Sequence, residues 1–350
     1  MLTPIDKQII RSWYQYVAEP HFSRFTGRVL RAIGPRIAVV GTCQSFSVAY
    51  AIKLLRPEAK VDHFPVMSRS HAPLETFIKT LKTYDYVLLN DFPRGFIPGG
   101  GSSELRDRLR KTFVVPTITF SAFHPDSISV GDDEVRSPIF GPLGPYHSAI
   151  ALFAFRKGLP LEEANALFNR NVFEALGYFD FWNDASAELI DRCKRESDLD
   201  LSAEFMVWTR RGIFMHTINH PKPFVLVDVA RKLLAHMGLP APDTDTDCDA
   251  YMIDDFLRYP IFPVYPQLAA HFGRLGSFTF HLTTADFGKR VGDYLTLPQF
   301  LYGSYDKYRQ YGSKRLTNPR VDAWSANAAT TEMIVSLARK NLEAGLLPVR

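Results

Sequence analysis

The sequence predicts an α/β fold, with three layers around a mostly parallel sheet, a helical insertion and an irregular, partly helical C-terminal extension. Three observations support this class. Short apolar runs alternate with segments of helical periodicity over roughly the first 120 residues, and a continuous helical pattern follows from about residue 146. The last hundred residues mix Pro, Tyr and Gly around one clear helix. Strands that alternate with helices are typical of βαβ units, and such units build parallel sheets.

The predicted core begins with a leading helix and continues as alternating strands and helices. Apolar residues at helical spacing predict an amphipathic leading helix over about 4–18. The run 36–40 is apolar, lies between Pro35 and Gly41, and is typical of a fully buried parallel strand. The alternation then predicts, in order, a helix at 45–55, a strand at 60–66, a helix at 73–81, a strand at 84–89, a helix at 104–111 and a strand at 112–120.

The second half of the chain predicts a different organisation. Helices fill about 146–196, a strand follows at 213–218, and a periodic helix at 224–237 stops at Gly238. A polar linker at 240–249 precedes the last clear helix, 331–342. The expected segments are therefore an N-terminal helical extension (1–34), an α/β acyltransferase-like domain with its insertion at about 146–210 (35–240), and a C-terminal extension (241–350).

Composition excludes several classes of protein. The 350 residues carry 41 Lys and Arg against 37 Asp and Glu, and a net charge of +4 gives no reason to expect nucleic-acid binding. Three widely spaced cysteines form no disulfide framework, so a reducing, cytoplasmic compartment is expected. The first residues do not resemble a signal peptide, and no apolar stretch is long enough to span a membrane. The oligomeric state is not predicted.

The sharpest local feature is the turn that follows the first predicted strand. Gly41 permits a tight turn, and Cys43 stands at the start of the next helix. Unpaired N–H groups and the positive end of the helix dipole favour a thiolate there, so we expect a lowered pKa and a nucleophilic thiol. The same N–H groups are suited to an oxyanion or a phosphate. The alternative is a small cysteine that only packs.

Three histidines stand at the edges of loops, where a general base is easiest to place. His124 follows the predicted strand 112–120, His147 opens a helix, and His220 follows the predicted strand 213–218. His220 ranks first because it follows the last predicted core strand, and His147 ranks second because the helix dipole disfavours its charged form. No cluster has the spacing of metal ligands, and nucleophile-elbow, Rossmann and P-loop signatures are absent.

Several motifs together resemble the WcbI-type polysaccharide biosynthesis family, whose capsule-associated acetyltransferases bind coenzyme A. The similarity extends over about 36–280. The motifs that carry it, in chain order, are Gly41-Thr42-Cys43-Gln44, Phe123-His124-Pro125-Asp126, Gly141-Pro142-Leu143-Gly144-Pro145-Tyr146-His147-Ser148, Asn219-His220-Pro221 and Tyr265-Pro266. Thr42 departs from the pattern, because the family usually has Asn at this position.

The resemblance implies an SGNH- or flavodoxin-like core, acyl-coenzyme A (acetyl-coenzyme A) as the donor and a saccharide hydroxyl as the acceptor. In that scheme Cys43 is the nucleophile or lines the acyl site, and His220, His147 or His124 is the base. Asp126 orients a histidine, as in a triad. Oxyanion and substrate contacts are expected from Gly41, Thr42, Gln44 and Asn90, and phosphate contacts from Arg94, Arg106, Arg110 and Lys222.

Two other functions remain open from the sequence. An esterase or deacetylase on the same fold would pass the acyl group to water instead of a sugar. A non-catalytic binding module of a glycan-assembly system would keep only affinity for the ligand. The expected enzyme needs no metal. The sequence does not predict the acceptor sugar or the length of the acyl chain.

Overall fold

The computed structural model describes residues 2–18, 34–67, 69–132, 137–239, 241, 248–283, 293–312 and 315–348. Its central feature is a four-stranded sheet in which every pair of neighbouring strands is parallel, in the order β2-β1-β3-β4. This confirms the predicted α/β class, and the order is that of a flavodoxin-like sheet. The strands are β1 (Arg36–Gly41), β2 (Lys60–Pro65), β3 (Tyr86–Leu89) and β4 (Thr112–Val114).

Helices alternate with these strands in the first half of the chain and predominate in the second half. Those of the first half are α1 (Pro4–Trp13), α2 (Cys43–Leu55), α3 (Leu74–Leu81) and α4 (Ser102–Arg108). Those that follow are α5 (Ala149–Arg156), α6 (Leu161–Ala166), α7 (Arg170–Ala175), α8 (Phe181–Ser197), α9 (Ser202–Arg211) and α10 (Pro223–His236). The last are α11 (Pro266–His271), α12 (Leu297–Tyr311), α13 (Pro319–Ala326) and α14 (Ala328–Glu343).

The remaining strands are short and antiparallel. They are β5 (Ser127–Ile128), β6 (Gly131–Asp132), β7 (Ser137–Pro138), β8 (His147–Ser148), β9 (Met215–Thr217), β10 (His220–Pro221), β11 (Phe280–His281), β12 (Tyr294–Leu295) and β13 (Leu316–Thr317). They pair as β5 with β8, β9 with β10 and β11 with β12, and β6 lies between β13 and β7 and pairs with both.

The core explains why β1 is almost entirely apolar. Side chains alternate between the faces of a strand, so Ala38 and Val40 point to one side and Ile37 and Val39 to the other. Ala38 and Val40 join a buried cluster with residues of α1 and α3. On the opposite face α2 packs on β1 and β2 and against α10. A strand buried on both faces reads as a continuous hydrophobic run, which is what the sequence shows.

A buried carboxylate attaches the leading helix to the sheet layer. Asp6 completes a capping box with Thr3 at the start of α1. Its Oδ1 also accepts hydrogen bonds from the Ser70 hydroxyl at 2.6 Å and from the N–H groups of His71 and Ala72. Burial favours the neutral acid, but the hydrogen bonds outweigh it and lower the pKa of Asp6. The charged form of Asp6 therefore holds α1 against the loop at 70–72.

The structure corrects two predicted strands. The strand expected at 112–120 ends its ladder at Val114, and beyond it the chain continues without sheet pairing. The strand expected at 213–218 is shorter, and β9 pairs only with β10, in an antiparallel ribbon outside the parallel sheet. His220 therefore does not follow a strand of the central sheet. Both segments are apolar, and hydrophobicity alone does not distinguish a buried extended chain from a paired strand.

Contacts divide the chain into two compact units. Unit 1 comprises 1–118, 189–208 and 222–254, and unit 2 comprises 119–188, 209–221 and 255–350. The units do not follow the expected segments, because the helices of the C-terminal region group with those of the insertion.

Helices α12 and α13 were not predicted, and the helix predicted at 331–342 lies within α14. The predicted linker lies largely outside the described residues. In the described part of the chain, no helix meets the length and hydropathy needed to cross a bilayer.

Candidate active site

The candidate site lies in unit 1, at the ends of the neighbouring strands β1 and β3. Between β1 and β3 the strand order reverses direction, and the loops that follow such strands form the usual ligand crevice of an open α/β sheet. Gly41 ends β1, and Asn90 follows β3 directly. A Cβ atom at Gly41 would lie only 2.6 Å from the Asn90 side chain. Glycine is thus required for the close approach of these two loops.

Cys43 is the first residue of α2, as predicted from the sequence. Thr42 is the N-cap residue of α2, but its side chain makes no capping hydrogen bond. The first N–H groups of α2, which lie at Cys43, are therefore not capped by Thr42. The N–H groups of Gln44 and Cys43 and the hydroxyl of Thr42 favour the thiolate. The Thr42 hydroxyl therefore favours the thiolate of Cys43, at the position where the WcbI-type family usually has Asn.

The prediction of a lowered thiol pKa is wrong. Burial is the largest influence on Cys43, and it raises the pKa above the ordinary value in spite of these hydrogen bonds. The sequence shows the start of the helix but not how far the thiol is withdrawn from water. Cys43 is partly exposed, whereas Cys193 and Cys248 are buried, and all three are free thiols.

The side-chain amides of Gln44 and Asn90 bind backbone rather than an open site. Gln44 is buried and pairs with both backbone groups of Ile118, at 2.8 and 2.9 Å. Asn90 is fully buried and donates from Nδ2 to the carbonyl of Val115 at 2.9 Å. Both amides therefore brace the extended chain beyond β4. This differs from the predicted role, in which the two side chains donate to an oxyanion.

A histidine that the sequence did not point to contacts the first turn of α2. His63 lies on β2, in register with Val39 of β1, and its Nε2 is 2.8 Å from the hydroxyl of Ser45 in the first turn of α2. The same hydroxyl lies 2.5 Å from the carbonyl oxygen of Thr42. Burial lowers the pKa of His63 to about 4, so the ring is neutral near neutral pH. Its position near the carboxyl end of the neighbouring strand was the signal available.

A small recess lies at the carboxyl ends of β3 and β4. Of the predicted phosphate contacts, Arg106 lines it, while Arg94 is paired with Glu104 and Arg110 is exposed. Lys222 is partly buried, and burial lowers its pKa although Asp254 opposes the effect. The recess is lined by Leu89, Asn90, Asp91, Ser102, Arg106 and Val114.

His220 belongs to a cluster of polar and aromatic groups in unit 2. Its Nε2 is 3.3 Å from the hydroxyl of Tyr146, and that hydroxyl donates to Oδ1 of Asn219 at 2.6 Å. The ring stacks on Phe256, with centroids 4.4 Å apart and planes 16° apart. His220 is buried rather than open at a loop edge. A fixed ring with a hydrogen-bonded nitrogen is the arrangement that a positioned base requires.

The other two histidines are also buried, which the loop-edge prediction did not anticipate. The two ring nitrogens of His147 lie 3.0 Å from the Tyr308 hydroxyl and 2.9 Å from the Ile139 carbonyl, and the ring stacks on Tyr308. Burial lowers the pKa of His147 to about 4. Because both ring nitrogens are hydrogen-bonded to other residues of the protein, His147 is a structural residue of the core. His124 packs edge-on against Phe123 and Phe262.

Asp126 differs from its predicted role of orienting a histidine. Its carboxylate accepts hydrogen bonds from the hydroxyls of Tyr178 and Tyr265, at 2.8 and 2.7 Å, and from the N–H of Ile150. Its backbone carbonyl accepts from the N–H of Ala149. Burial raises the pKa of Asp126, and these donors oppose that effect. Asp126 is therefore a buried anchor for the start of α5.

The structure brings some of the predicted residues together within a unit. Unit 1 holds Gly41, Thr42, Cys43, Gln44 and Asn90 around the β1–β3 crevice, and also the four basic candidates. Unit 2 holds the three histidines and Asp126. In the described ranges, no group of three or more His, Cys, Asp or Glu residues has the geometry of a metal site.

Comparisons with known proteins agree with this architecture. A sequence profile described as "Polysaccharide biosynthesis enzyme WcbI" matches residues 36–242, more than half of the chain. The chain is also similar to a solved structure of WcbI, described as a novel polysaccharide biosynthesis enzyme, in a native form without the disulfide bond between coenzyme A and a cysteine. The TM-score is 0.58 at 16% identity, over 87% of this chain and 99% of that one. No curated protein matches the sequence.

Proposed function

The chain belongs to the WcbI family of polysaccharide biosynthesis enzymes, and from this premise we propose that it transfers an acyl group from acyl-coenzyme A to a saccharide hydroxyl. The observation that carries the proposal is the position of Cys43 at the β1–β3 crevice, against N–H groups that lack a side-chain cap. A crevice of this kind is where open α/β sheets bind ligands, and free helix N–H groups suit an anionic oxygen.

In the proposed reaction, the sulfur of Cys43 attacks the thioester carbonyl and coenzyme A leaves as its thiol. The hydroxyl of the acceptor then attacks the acyl-cysteine, the bond to sulfur breaks, and the thiol of Cys43 is restored. The N–H groups of Cys43 and Gln44 stabilise the oxyanion in both steps. We assign this role to backbone groups because the amides of Gln44 and Asn90 already donate to backbone carbonyls.

The raised pKa of Cys43 has a consequence for this scheme. At neutral pH the resting enzyme holds a thiol, so the nucleophile forms only when a base accepts its proton. The family resemblance implies a histidine for this role, and His220 is the first candidate because Tyr146 and stacking on Phe256 fix its ring within unit 2. His124 becomes the second candidate in place of His147. His147 is set aside because its nitrogens are bonded to the fold.

We propose Arg106 as the first contact for a phosphate of coenzyme A. It is the basic side chain that lines the recess next to Asn90, at the carboxyl ends of β3 and β4. Guanidinium groups bind phosphate oxygens in a bidentate manner, which supports this choice over the ion-paired Arg94. Lys222 and Arg110 are secondary candidates. The substitution Arg106→Gln should therefore weaken the binding of coenzyme A and leave the stability of the folded protein unchanged.

The test of the proposed function follows coenzyme A release from acetyl-coenzyme A, with and without a panel of saccharide acceptors, in the wild type and in Cys43→Ala. Release that depends on an acceptor and on Cys43 supports a transferase. Release without any acceptor indicates the esterase-like alternative. Binding of coenzyme A without turnover indicates a binding module, and neither binding nor turnover contradicts all three.

A further inference from the structure

His63 and Ser45 form a hydrogen-bonded chain that reaches the peptide bond before Cys43. The Ser45 hydroxyl is 2.5 Å from the Thr42 carbonyl oxygen and 2.8 Å from Nε2 of His63. A serine hydroxyl has a single proton, and two oxygens this close need that proton between them. Ser45 therefore donates to Thr42, and Nε2–H of His63 donates to Ser45.

This chain fixes the direction of an N–H group at the candidate site. The Thr42 carbonyl also accepts the N–H of Ser45, at 3.0 Å, so two donors of the same residue hold it in place. In a trans peptide the carbonyl and the following N–H lie in one plane and point in opposite directions. Holding the Thr42 carbonyl towards Ser45 therefore directs the N–H of Cys43 away from it, out of the start of α2.

We infer that His63 and Ser45 are positioning residues, which orient the Thr42–Cys43 peptide so that its N–H faces the reacting sulfur and the oxyanion. The inference deepens the proposed function and rests on it, because it assigns those N–H groups a role in acyl transfer. It adds a histidine in the same unit as Cys43 that acts through hydrogen bonding and not as a base. Edge-on packing of Phe46 against the ring holds His63 in this orientation.

The test compares variants that remove or keep the donor at the end of the chain. His63→Phe keeps a ring but loses Nε2–H, and His63→Gln keeps an N–H at a similar position. Ser45→Ala breaks the chain at its centre. The matched controls are Ser47→Ala, a buried serine of the same helix, and His236→Phe, an exposed histidine of unit 1. Circular dichroism and melting temperature establish that each variant folds.

Two readouts separate this inference from the proposed function. The first is the rate of Cys43 alkylation by iodoacetamide at pH 8, which needs no acyl transfer. We expect His63→Phe and Ser45→Ala to slow it ~3- to 10-fold, because part of a hydrogen bond to the thiolate is lost. The second is turnover of acetyl-coenzyme A, with kcat lowered ~10- to 100-fold and KM unchanged.

We also expect His63→Gln to recover the alkylation rate and the turnover of the wild type. Both control variants should keep wild-type rates. Folded His63→Phe and Ser45→Ala proteins with wild-type alkylation rates would overturn the inference whether or not the enzyme turns over. If the variants show the alkylation effect but the wild-type protein releases no coenzyme A, the proposed function is contradicted and the positioning contact is retained. If either His63→Phe or Ser45→Ala fails to fold, the alkylation rate of the other variant decides the outcome, and Ser45→Thr, which keeps the hydroxyl, is expected to keep the wild-type rate.

Discussion

The side-chain amide of Gln44 binds both backbone groups of Ile118, with Oε1 accepting the N–H at 2.9 Å and Nε2 donating to the carbonyl at 2.8 Å. This pairing takes the place of a neighbouring strand, because the ladder of β4 ends four residues earlier, at Val114. A side chain next to Cys43 thus holds the extended segment that leaves the sheet. The crevice and the end of the sheet are coupled through one residue.

We expect Gln44→Leu to destabilise the protein by about 2–4 kcal/mol. The substitution leaves the buried N–H and carbonyl of Ile118 without these partners, and each unsatisfied group costs about 1–3 kcal/mol. Chemical denaturation measures the change, and Gln310→Leu, at an exposed position of α12, serves as the control with a change below about 0.5 kcal/mol. Equal stability of the two variants would show that the pairing with Ile118 contributes nothing.

The alkylation rate of Cys43 should rise with pH along a curve centred above the ordinary thiol pKa. Burial is the dominant influence on this thiol, and the Thr42 hydroxyl opposes it. Thr42→Val, which removes the hydroxyl at similar volume, should move the curve to still higher pH and slow the reaction at pH 8 by ~3- to 10-fold. Cys43 should nevertheless react faster than the buried Cys193 and Cys248. A curve centred below the ordinary value would mean that the helix end outweighs burial.

His147 should make stability depend on pH in a defined window. Its pKa of about 4 in the folded protein lies below the ordinary value of 6.5, so the unfolded chain takes up the proton more readily. The contribution of the neutral ring is complete above about pH 6.5 and is lost as the pH falls towards 4. We expect His147→Gln to reduce the loss of stability between pH 7 and pH 5 by roughly 1–2 kcal/mol, measured by denaturation at each pH.

His271→Gln, at an exposed position of unit 2, provides the comparison. It should change neither the stability at pH 7 nor the loss on acidification. If His147→Gln and His271→Gln behave alike, the ring of His147 is not held in the neutral form by burial.

Asp6 gives a second test on the acidic side, with the same sign as His147 but at lower pH. Its folded-state pKa is lowered by hydrogen bonds from Ser70, Thr3 and Ala72, which outweigh burial. Its contribution is therefore present above the ordinary carboxyl pKa of about 4 and is lost as the pH falls below it. Asp6→Asn should cost about 1–3 kcal/mol at pH 7. The difference from wild type should shrink at pH 3, and Asp107→Asn, at an exposed position of α4, should show no such pattern.

His220→Ala should lower the turnover of acetyl-coenzyme A by ~100- to 10,000-fold while coenzyme A affinity changes little, as expected for a general base. His147→Gln, whose ring nitrogens are bonded to the fold, should keep most of its turnover. Steady-state kinetics and calorimetric binding separate the two quantities. Full turnover in His220→Ala would remove this histidine from the mechanism and make His124 the residue to replace next.

The sequence was most informative where hydrophobic periodicity sets local structure. The parallel strands β1 and β2, the helix that starts at Cys43 and the long helix α10 were predicted because each has a distinct apolar pattern and clear terminal residues. The strand ends were less predictable. Val115–Phe120 is as apolar as a strand, yet contacts from Gln44 and Asn90 hold it, and those partners are distant in the chain.

The candidate site shows the same limit. The turn at Gly41–Cys43 has a local signature, so its position was predicted. The pKa of the thiol depends on burial, the partners of His147 come from Tyr308 and Ile139, and the contact between His63 and Ser45 joins neighbouring elements. Each of these is a tertiary property. A single sequence without its folded contacts does not specify them.

A disulfide-trapping measurement shows whether the thiol end of coenzyme A reaches Cys43, as we propose. The protein is incubated with oxidised coenzyme A, and the adduct is located by mass spectrometry of peptides, with and without excess acetyl-coenzyme A as a competitor. We expect one coenzyme A per chain, attached to Cys43, suppressed by the competitor and absent in Cys43→Ser. An adduct on Cys193 or Cys248, or a Cys43 adduct that acetyl-coenzyme A does not suppress, would contradict the proposal.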